Sequence, residues 1–347
     1  MAPKIGNFGK LIAVDYHDDL KEVQGDAALA ALLCAPFARA PFDRLEWWQD
    51  LANYCELHPL LAVARDGEGR AILPLLRRGR QIHCFANWYS FRVMPLFTAP
   101  ADRTALLDAL AADLAGKAPH LVLSPLPDEH GEARELAKAL GRAGWTTFIE
   151  QSDVNHVLPV NRRSFADYLA TRPGPLKSTL RRKSGKVTVS IDTVFNSASW
   201  ASYEAIYAQS WKGAEGHPEF LRKFAEREGA AGRLRLAIAN DGMRPVAAQF
   251  WTVEAGTAFI HKLAHIEQAK DLSPGTILTA ALLERVIDHD KVALVDFGTG
   301  DDPYKRDWME QTRPRYRIEA FRARWPGTWP AIARKVLRRV AAGGHHG

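Results

Sequence analysis

The sequence predicts an α/β protein of two similarly built halves, each a mixed, mostly antiparallel sheet carrying helices. Three observations predict it. An apolar run, an Asp-Gly turn and a second apolar run occur at residues 60–75 and again at residues 234–249. Asp66-Gly67 and Asp241-Gly242 supply the positive φ that a tight hairpin needs. The elements around each hairpin then recur in one order, with a helix before it and strand, helix, strand, helix, strand after it.

In the first half these are a helix at 42–58, strand 81–85, helix 104–115, strand 120–123, helix 131–141 and strand 145–149. In the second half helices at 199–211 and 218–228 precede the hairpin, and Trp200, Tyr203, Tyr207 and Trp211 recur at helical spacing in the former. Strand 257–264, helix 274–288, strand 292–297, a short helix at 303–309 and strand 316–321 follow. The boundary is expected at residues 151–153, with a strand at 155–160 opening the second half. The domains are then 1–152, 153–324 and a basic tail, 325–347. Arg172-Pro-Gly-Pro175 breaks the chain between helices.

A chain of 347 residues suits two domains, and 47% hydrophobic residues can bury a large core in each. The net charge of +6 suits an anionic partner such as CoA phosphates, RNA or a membrane surface, and solubility alone also accounts for it. Cys34, Cys55 and Cys84 form no CxxC pair, so neither a zinc site nor a disulfide framework is indicated. The first ten residues lack a signal-peptide core. The longest apolar stretch, 27–38, contains Pro36 and is too short to span a bilayer. A cytoplasmic protein, touching the inner face of the membrane at most, is expected.

Two segments carry chemistry. In Leu272-Ser-Pro-Gly-Thr-Ile-Leu278, Ser273 suits a helix N-cap and Pro274 the first helical position. Gly275 allows close approach, and such a helix start can hold phosphate; a plain cap is the alternative. In Asp296-Phe-Gly-Thr-Gly300 a buried strand ends in glycines, and Tyr304 follows at the start of a short helix. The plainer alternative is a glycine turn, with Tyr304 packed and Asp296 capping backbone N–H groups.

Phe259-Ile-His-Lys-Leu-Ala-His265, Leu272–Leu278, Asp296–Gly300, Pro303-Tyr-Lys305 and Trp308 together resemble the CelD-type, Fem-like branch of the GNAT superfamily, over roughly residues 209–322. The resemblance implies two tandem GNAT-like domains and an N-acyltransferase that uses acyl-CoA as co-substrate, with no permanently bound cofactor and no metal. It implies a pantetheine arm between splayed strands 257–264 and 292–297, with pyrophosphate at Ser273, Gly275 and Thr276. Backbone N–H groups from Leu263 to His265 would polarise the thioester carbonyl, and Gly298, Gly300 and Lys305 would complete the donor site. Tyr304 would protonate the leaving thiolate. His261 would be the base, directly or through water, and Asp296 the competing base or amine-orienting carboxylate. The segment departs from the usual GNAT phosphate loop, which is richer in glycine and basic residues.

Trp211 and Trp308 are candidate walls for the acceptor, with core packing as the alternative. Arg181, in the basic stretch Lys177, Arg181, Arg182, Lys183 and Lys186, is a candidate contact to a phosphate-bearing substrate, with a solvated face as the alternative. In the first half Leu121-Val-Leu-Ser-Pro-Leu126 stands where the Asp-Phe-Gly-Thr-Gly motif would be, so one active site is expected, in the second domain. Asn87-Trp-Tyr-Ser90 is expected to help wall the acceptor cleft. In the tail Trp329, Ile332, Val336, Leu337 and Val340 share a helical stripe beside Arg334, Lys335, Arg338 and Arg339. Such a helix binds an anionic membrane or docks on its own protein.

The expected acceptor is an amine on a lipid base, as in ceramide-synthase-like acylation, or on a cell-envelope sugar. The expected donor is acyl-CoA or an acyl carrier protein. The rivals are a Fem-type transferase taking an aminoacyl group from tRNA, and a non-catalytic GNAT-fold protein in polysaccharide production. The absence of heptads for a helical arm places tRNA second.

Overall fold

The computed structural model describes residues 12–343. The N-terminal eleven residues, and the last four of the expected tail, lie outside that range. In chain order the first elements are β1 (Ala13–His17), α1 (Leu20–Gly25), α2 (Ala27–Leu32), α3 (Leu45–Tyr54), β2 (Pro59–Asp66), β3 (Gly69–Arg78), β4 (Gln81–Cys84) and β5 (Leu96–Phe97). Then come α4 (Arg103–Lys117), β6 (His120–Leu126), α5 (Glu132–Arg142), β7 (Thr146–Pro159), α6 (Phe165–Ala170), α7 (Gly174–Lys183), β8 (Thr188–Asp192), α8 (Ser197–Ala208) and α9 (Pro218–Ala230). The rest are β9 (Leu234–Asp241), β10 (Arg244–Glu254), β11 (Thr257–His265), α10 (Pro274–Glu284), β12 (Leu294–Thr299), α11 (Pro303–Trp308), β13 (Gln311–Phe321) and α12 (Trp329–Gly343).

These elements form two compact units, and each takes a segment that sequence order gives to the other. The first comprises residues 1–37, 57–152 and 315–347; the second comprises 38–56 and 153–314. The chain passes between them inside β7 and inside β13. The strands expected at 145–149 and 155–160 are thus one continuous strand, and the expected break at 151–153 falls within it. The helix expected at 42–58 begins the exchange: α3 packs with the second unit. The strand expected at 316–321 ends it, because β13 pairs antiparallel with β6 in the first unit.

In the first unit the strands run β1-β2-β3-β4-β6-β13, with β5 on β3. β2 and β3 form the Asp66-Gly67 hairpin, and β4 joins β6 in a short parallel ladder from Gln81↔His120 to His83↔Val122. Leu106, Leu110 and Leu114 of α4 and Leu136 and Leu140 of α5 share one core with Leu73, Leu75, Leu121, Leu123 and Ile318 of the sheet. Apolar residues at i, i+4 and i+8 put one face of α4 onto the sheet.

In the second unit the order is β7-β12-β11-β10-β9-β8. The β9–β10 hairpin turns at Asp241-Gly242, with Gly242 at φ 59°, as its Asp-Gly signal requires. The borrowed segment closes this unit's core. Trp47 lies edge-on to Phe220 and Phe224 of α9, each at 5.0 Å between ring centroids. Beside them Arg44 is buried and donates to Glu228 Oε1 at 2.7 Å, while its Nε lies 3.2 Å from Glu254 Oε1. Arg233 donates to the other Glu228 oxygen at 2.7 Å, and Arg227 clamps Asp50 at 2.5 and 2.7 Å.

Removing Arg44 would take the cation from buried Glu254 and leave buried Glu228 to Arg233 alone, at a cost of about 3–5 kcal/mol. Arg44→Ala is expected to lower the urea unfolding midpoint of the second unit sharply. An unchanged midpoint would show that residues 38–56 do not anchor there.

Candidate active site

The site forms where β11 and β12 part. The two strands pair in parallel only from Thr257↔Leu294 to Phe259↔Asp296. Beyond Phe259, β11 keeps its ladder to β10 as far as Ala247↔His265, while β12 turns away. Two features produce the parting. On one side the β10–β11 register shifts between Phe250↔Lys262 and Trp251↔Ile260, which makes His261 the extra residue of a bulge. On the other side Gly298 at φ 67° and Gly300 at φ 96° turn β12 out of line in the left-handed region that glycine tolerates.

Asp296 holds that turn. Its Oδ1 accepts from Gly298 N at 2.8 Å and Asn155 Nδ2 at 3.0 Å, and the residue is buried. Lys305 spends its ammonium on the Gly298 and Thr299 carbonyls, and Gly300 N donates to Val154 O and Asp153 Oδ1, each at 3.0 Å. Burial lowers the Lys305 pKa, and Asp296 and Asp153 oppose the shift. Asp296, Gly298, Gly300 and Lys305 therefore build the turn, the plainer of the two sequence readings for Asp296.

The start of α10 faces the parted β11. A methyl group placed on Gly275 would lie 3.4 Å from Leu263 Cδ1 and 3.8 Å from His265 Cδ2. Ser273 stands at the N-cap position but in the left-handed region, at φ 52°, and its hydroxyl caps no N–H. It takes Lys183 instead: the ammonium lies 3.0 Å from Ser273 Oγ and 2.6 Å from Asp271 O. The N–H groups of Thr276 and Ile277 bond the Ser273 carbonyl at 3.1 and 3.2 Å, and Pro274 has none. The Gly275 N–H is the donor of this turn with no partner among the described residues. The positive end of the helix and the Lys183 charge thus coincide. The sequence singled out Arg181 from the same helix, but Arg181 is exposed, and it is Lys183 that meets the α10 start.

Tyr304 on α11 reaches the same point. Its hydroxyl bonds Thr279 Oγ1 and donates to Gly275 O at 3.2 Å. Gln249 Nε2 donates to Thr279 Oγ1 at 2.5 Å and Gly275 O at 3.1 Å, and Trp251 Nε1 fixes the Gln249 carbonyl at 2.7 Å. Burial pushes the Tyr304 phenol well above its ordinary value, while Thr279, Trp308 and Gln249 pull it down by bonding the phenolate. Tyr304 is a neutral acid whose conjugate base has donors waiting. Gln249 and Thr279 carried no sequence signal, because each lies in an apolar run and gains its meaning only by facing Tyr304.

The other candidates separate. Trp308 is fully buried and its carbonyl accepts from Tyr168 at 2.5 Å, so it is core rather than acceptor wall. Trp211 is 53% exposed, with its ring 4.5 Å from that of His265 and Lys212 over its face. His261 projects into an aromatic enclosure, with Phe224 and Phe250 at 5.0 and 5.2 Å and Phe42 and Trp47 at 6.3 and 6.5 Å. Its Nε2 lies 2.8 Å from Thr252 Oγ1. Burial, with Lys262 and Arg44 nearby, pushes its pKa down to about 3. A ring so hard to protonate is a weak proton acceptor, which leaves water or another group to take the proton of the attacking amine.

His261 is expected to stay neutral from pH 8 down to pH 4 in NMR titration of its ring protons. An ordinary midpoint near 6.5 would show that the enclosure is wet and would return the ring to the role of base.

Residues 177–306 match the family model of the acetyltransferase (GNAT) domain. That span holds α10, the parting strands and Tyr304. No curated protein matches the chain by sequence. Among solved structures it resembles FemX, at 10% identity and TM-score 0.59, over 88% of this chain and 96% of that one. It also resembles a tandem GNAT protein of the clavulanic acid biosynthesis pathway, at 14% identity and TM-score 0.51, over 89% of this chain and 98% of that one. A third is a C-terminal domain from Agrobacterium fabrum assigned to a lysylphosphatidylglycerol synthetase, at 13% identity and TM-score 0.51, over 80% and 87%. At such identities the likeness is one of fold. Residues 177–306 thus carry an acetyltransferase (GNAT) domain, and the chain as a whole shares its fold with a tandem GNAT protein.

Proposed function

We propose that the second unit transfers an acyl group from acyl-CoA to an amine by direct attack on the thioester. The observation that carries the reading is the parting of β11 from β12 with the α10 start and the Tyr304 phenol at the gap. An extended pantetheine arm fits there, because it can bond the backbone groups that the strands leave unpaired. The Gly275 N–H and the Lys183 ammonium suit the pyrophosphate, and Ser273 and Thr276 frame it.

The steps balance with few groups. The neutral amine nitrogen attacks the thioester carbon, and the C–O π pair moves to oxygen. Backbone N–H groups along Leu263–His265, next to the bulge, are the proposed donors to that oxyanion. Its collapse breaks the C–S bond. Tyr304 gives the thiolate its proton, and Thr279 with Gln249 steadies the phenolate until solvent reprotonates it. The amine proton leaves to water. Exposed Trp211 lies where it can cover the acceptor or the arm. The acceptor class follows the sequence reading: a lipid amine or a cell-envelope sugar amine.

Calorimetric titration with acetyl-, octanoyl- and palmitoyl-CoA is expected to show saturable binding. If none of these binds while aminoacyl-tRNA does, the donor is of the Fem type and the reading is wrong. Tyr304→Phe is expected to lower kcat about 10²-fold or more with little change in KM, as loss of a proton donor does. Lys183→Ala is expected to raise KM for acyl-CoA about tenfold or more, the scale of a charge-assisted bond. It should leave a short thioester that lacks the nucleotide unaffected. An equal effect on both thioesters would place Lys183 away from the phosphates.

A further inference from the structure

The tail helix leaves much of its apolar stripe uncovered by its own unit. Its Lys335 side faces that unit, while Arg334, Arg338 and Arg339 are exposed. Lys335 reaches Glu150 at 2.9 Å and Glu319 at 3.2 Å. Arg334, Lys335 and Arg338 border a cavity of about 670 Å³, together with Arg80, His120 and Phe321 of that unit. Its apolar side faces solvent: Trp329 is 59% exposed, Leu337 69% and Val340 68%. Ile332 of the stripe is half-buried, but Trp329, Val336, Leu337 and Val340 exposed along one helix call for something to cover them.

We propose that this face of α12 docks on the surface of an anionic phospholipid bilayer, lying in the plane of the interface. Charge complementarity selects that occupant. Helical geometry sets Arg334 and Arg339 on the two borders of the stripe, with Arg338 behind it. Their long side chains extend toward headgroup phosphates while the stripe enters the acyl boundary. Trp329 starts the helix, and Trp325, 39% exposed with Arg80 over its ring at 5.3 Å, stands just before it. Exposed tryptophans beside arginines suit the boundary between headgroup and chain. No helix among the described residues is long and apolar enough to cross a membrane, so the contact is peripheral. This inference stands apart from the acyl-transfer reading and fails separately from it.

The test is co-sedimentation of the full chain with vesicles of phosphatidylglycerol and phosphatidylcholine in equal parts, against phosphatidylcholine alone. Binding is expected to the mixed vesicles and to fall with added salt. The doubly substituted Leu337→Ser, Val340→Ser chain, altered only at exposed positions, should lose at least tenfold in partitioning and keep its circular dichroism. Arg334→Gln and Arg339→Gln should each cost about fivefold. Absent or charge-indifferent binding would overturn the proposal. So would full binding by the Leu337, Val340 variant, which would leave electrostatics alone. Light scattering that shows a dimer split by Leu337→Glu would assign the stripe to a second copy of the chain instead.

Discussion

Backbone groups of a strand must bond something, and the ladder between β11 and β12 ends after three residue pairs. The rest of the site depends on that shortfall. Beyond Phe259 and Asp296 the facing edges have no strand partner in each other, so an extended ligand that offers amide groups can take the place of a strand. The gap persists because both rims are fixed elsewhere. β11 is held by its ladder to β10 across the bulge at His261, and β12 by its ladder to β7 and the Asp296 turn. A stretched sheet would tend to close; this one is pinned open on each side.

Polar groups at the gap divide by what they already bond. Asp296 and Lys305 look like catalytic chemistry in a list of residues, yet their hydrogen-bonding capacity goes to backbone groups of the turn. Tyr304 differs, because Thr279, which bonds its hydroxyl, and Gln249 also stabilise the anion it would become. Lys183 differs too: its charge meets a helix start that has a donor to spare. His261 occupies the conspicuous bulge but sits in a ring of aromatic side chains that keeps it neutral. Two of its four ring neighbours, Phe42 and Trp47, come from the segment inserted from early in the chain.

The two halves share a plan and differ in chemistry. Each has a hairpin, then a short parallel ladder, from Gln81↔His120 in one and from Thr257↔Leu294 in the other. In the first, β6 continues through Ser124-Pro125 to Leu126 without a glycine turn and pairs with β13 as far as Leu126. In the second the glycines break the strand line and α11 delivers a tyrosine. The first half thus keeps a sheet that supports a core without that turn.

The sequence by itself determined the elements and the local turns. Asp-Gly hairpins, apolar periodicity and the Asp296–Gly300 and Ser273–Gly275 segments act over a few residues, so their physics is written in neighbouring positions. The resemblance to a known pattern named Tyr304, Leu263 and Gly275, and the fold brings the three close together. Tertiary structure decided what depends on distant partners. Arg44 finding Glu228, β13 crossing to β6, Gln249 meeting Thr279 and Tyr304, and Lys183 reaching Ser273 all join residues far apart in the chain. It also decided which side of α12 faces out. A helical stripe shows in the sequence, but its direction is set by where Glu150 and Glu319 stand to receive Lys335.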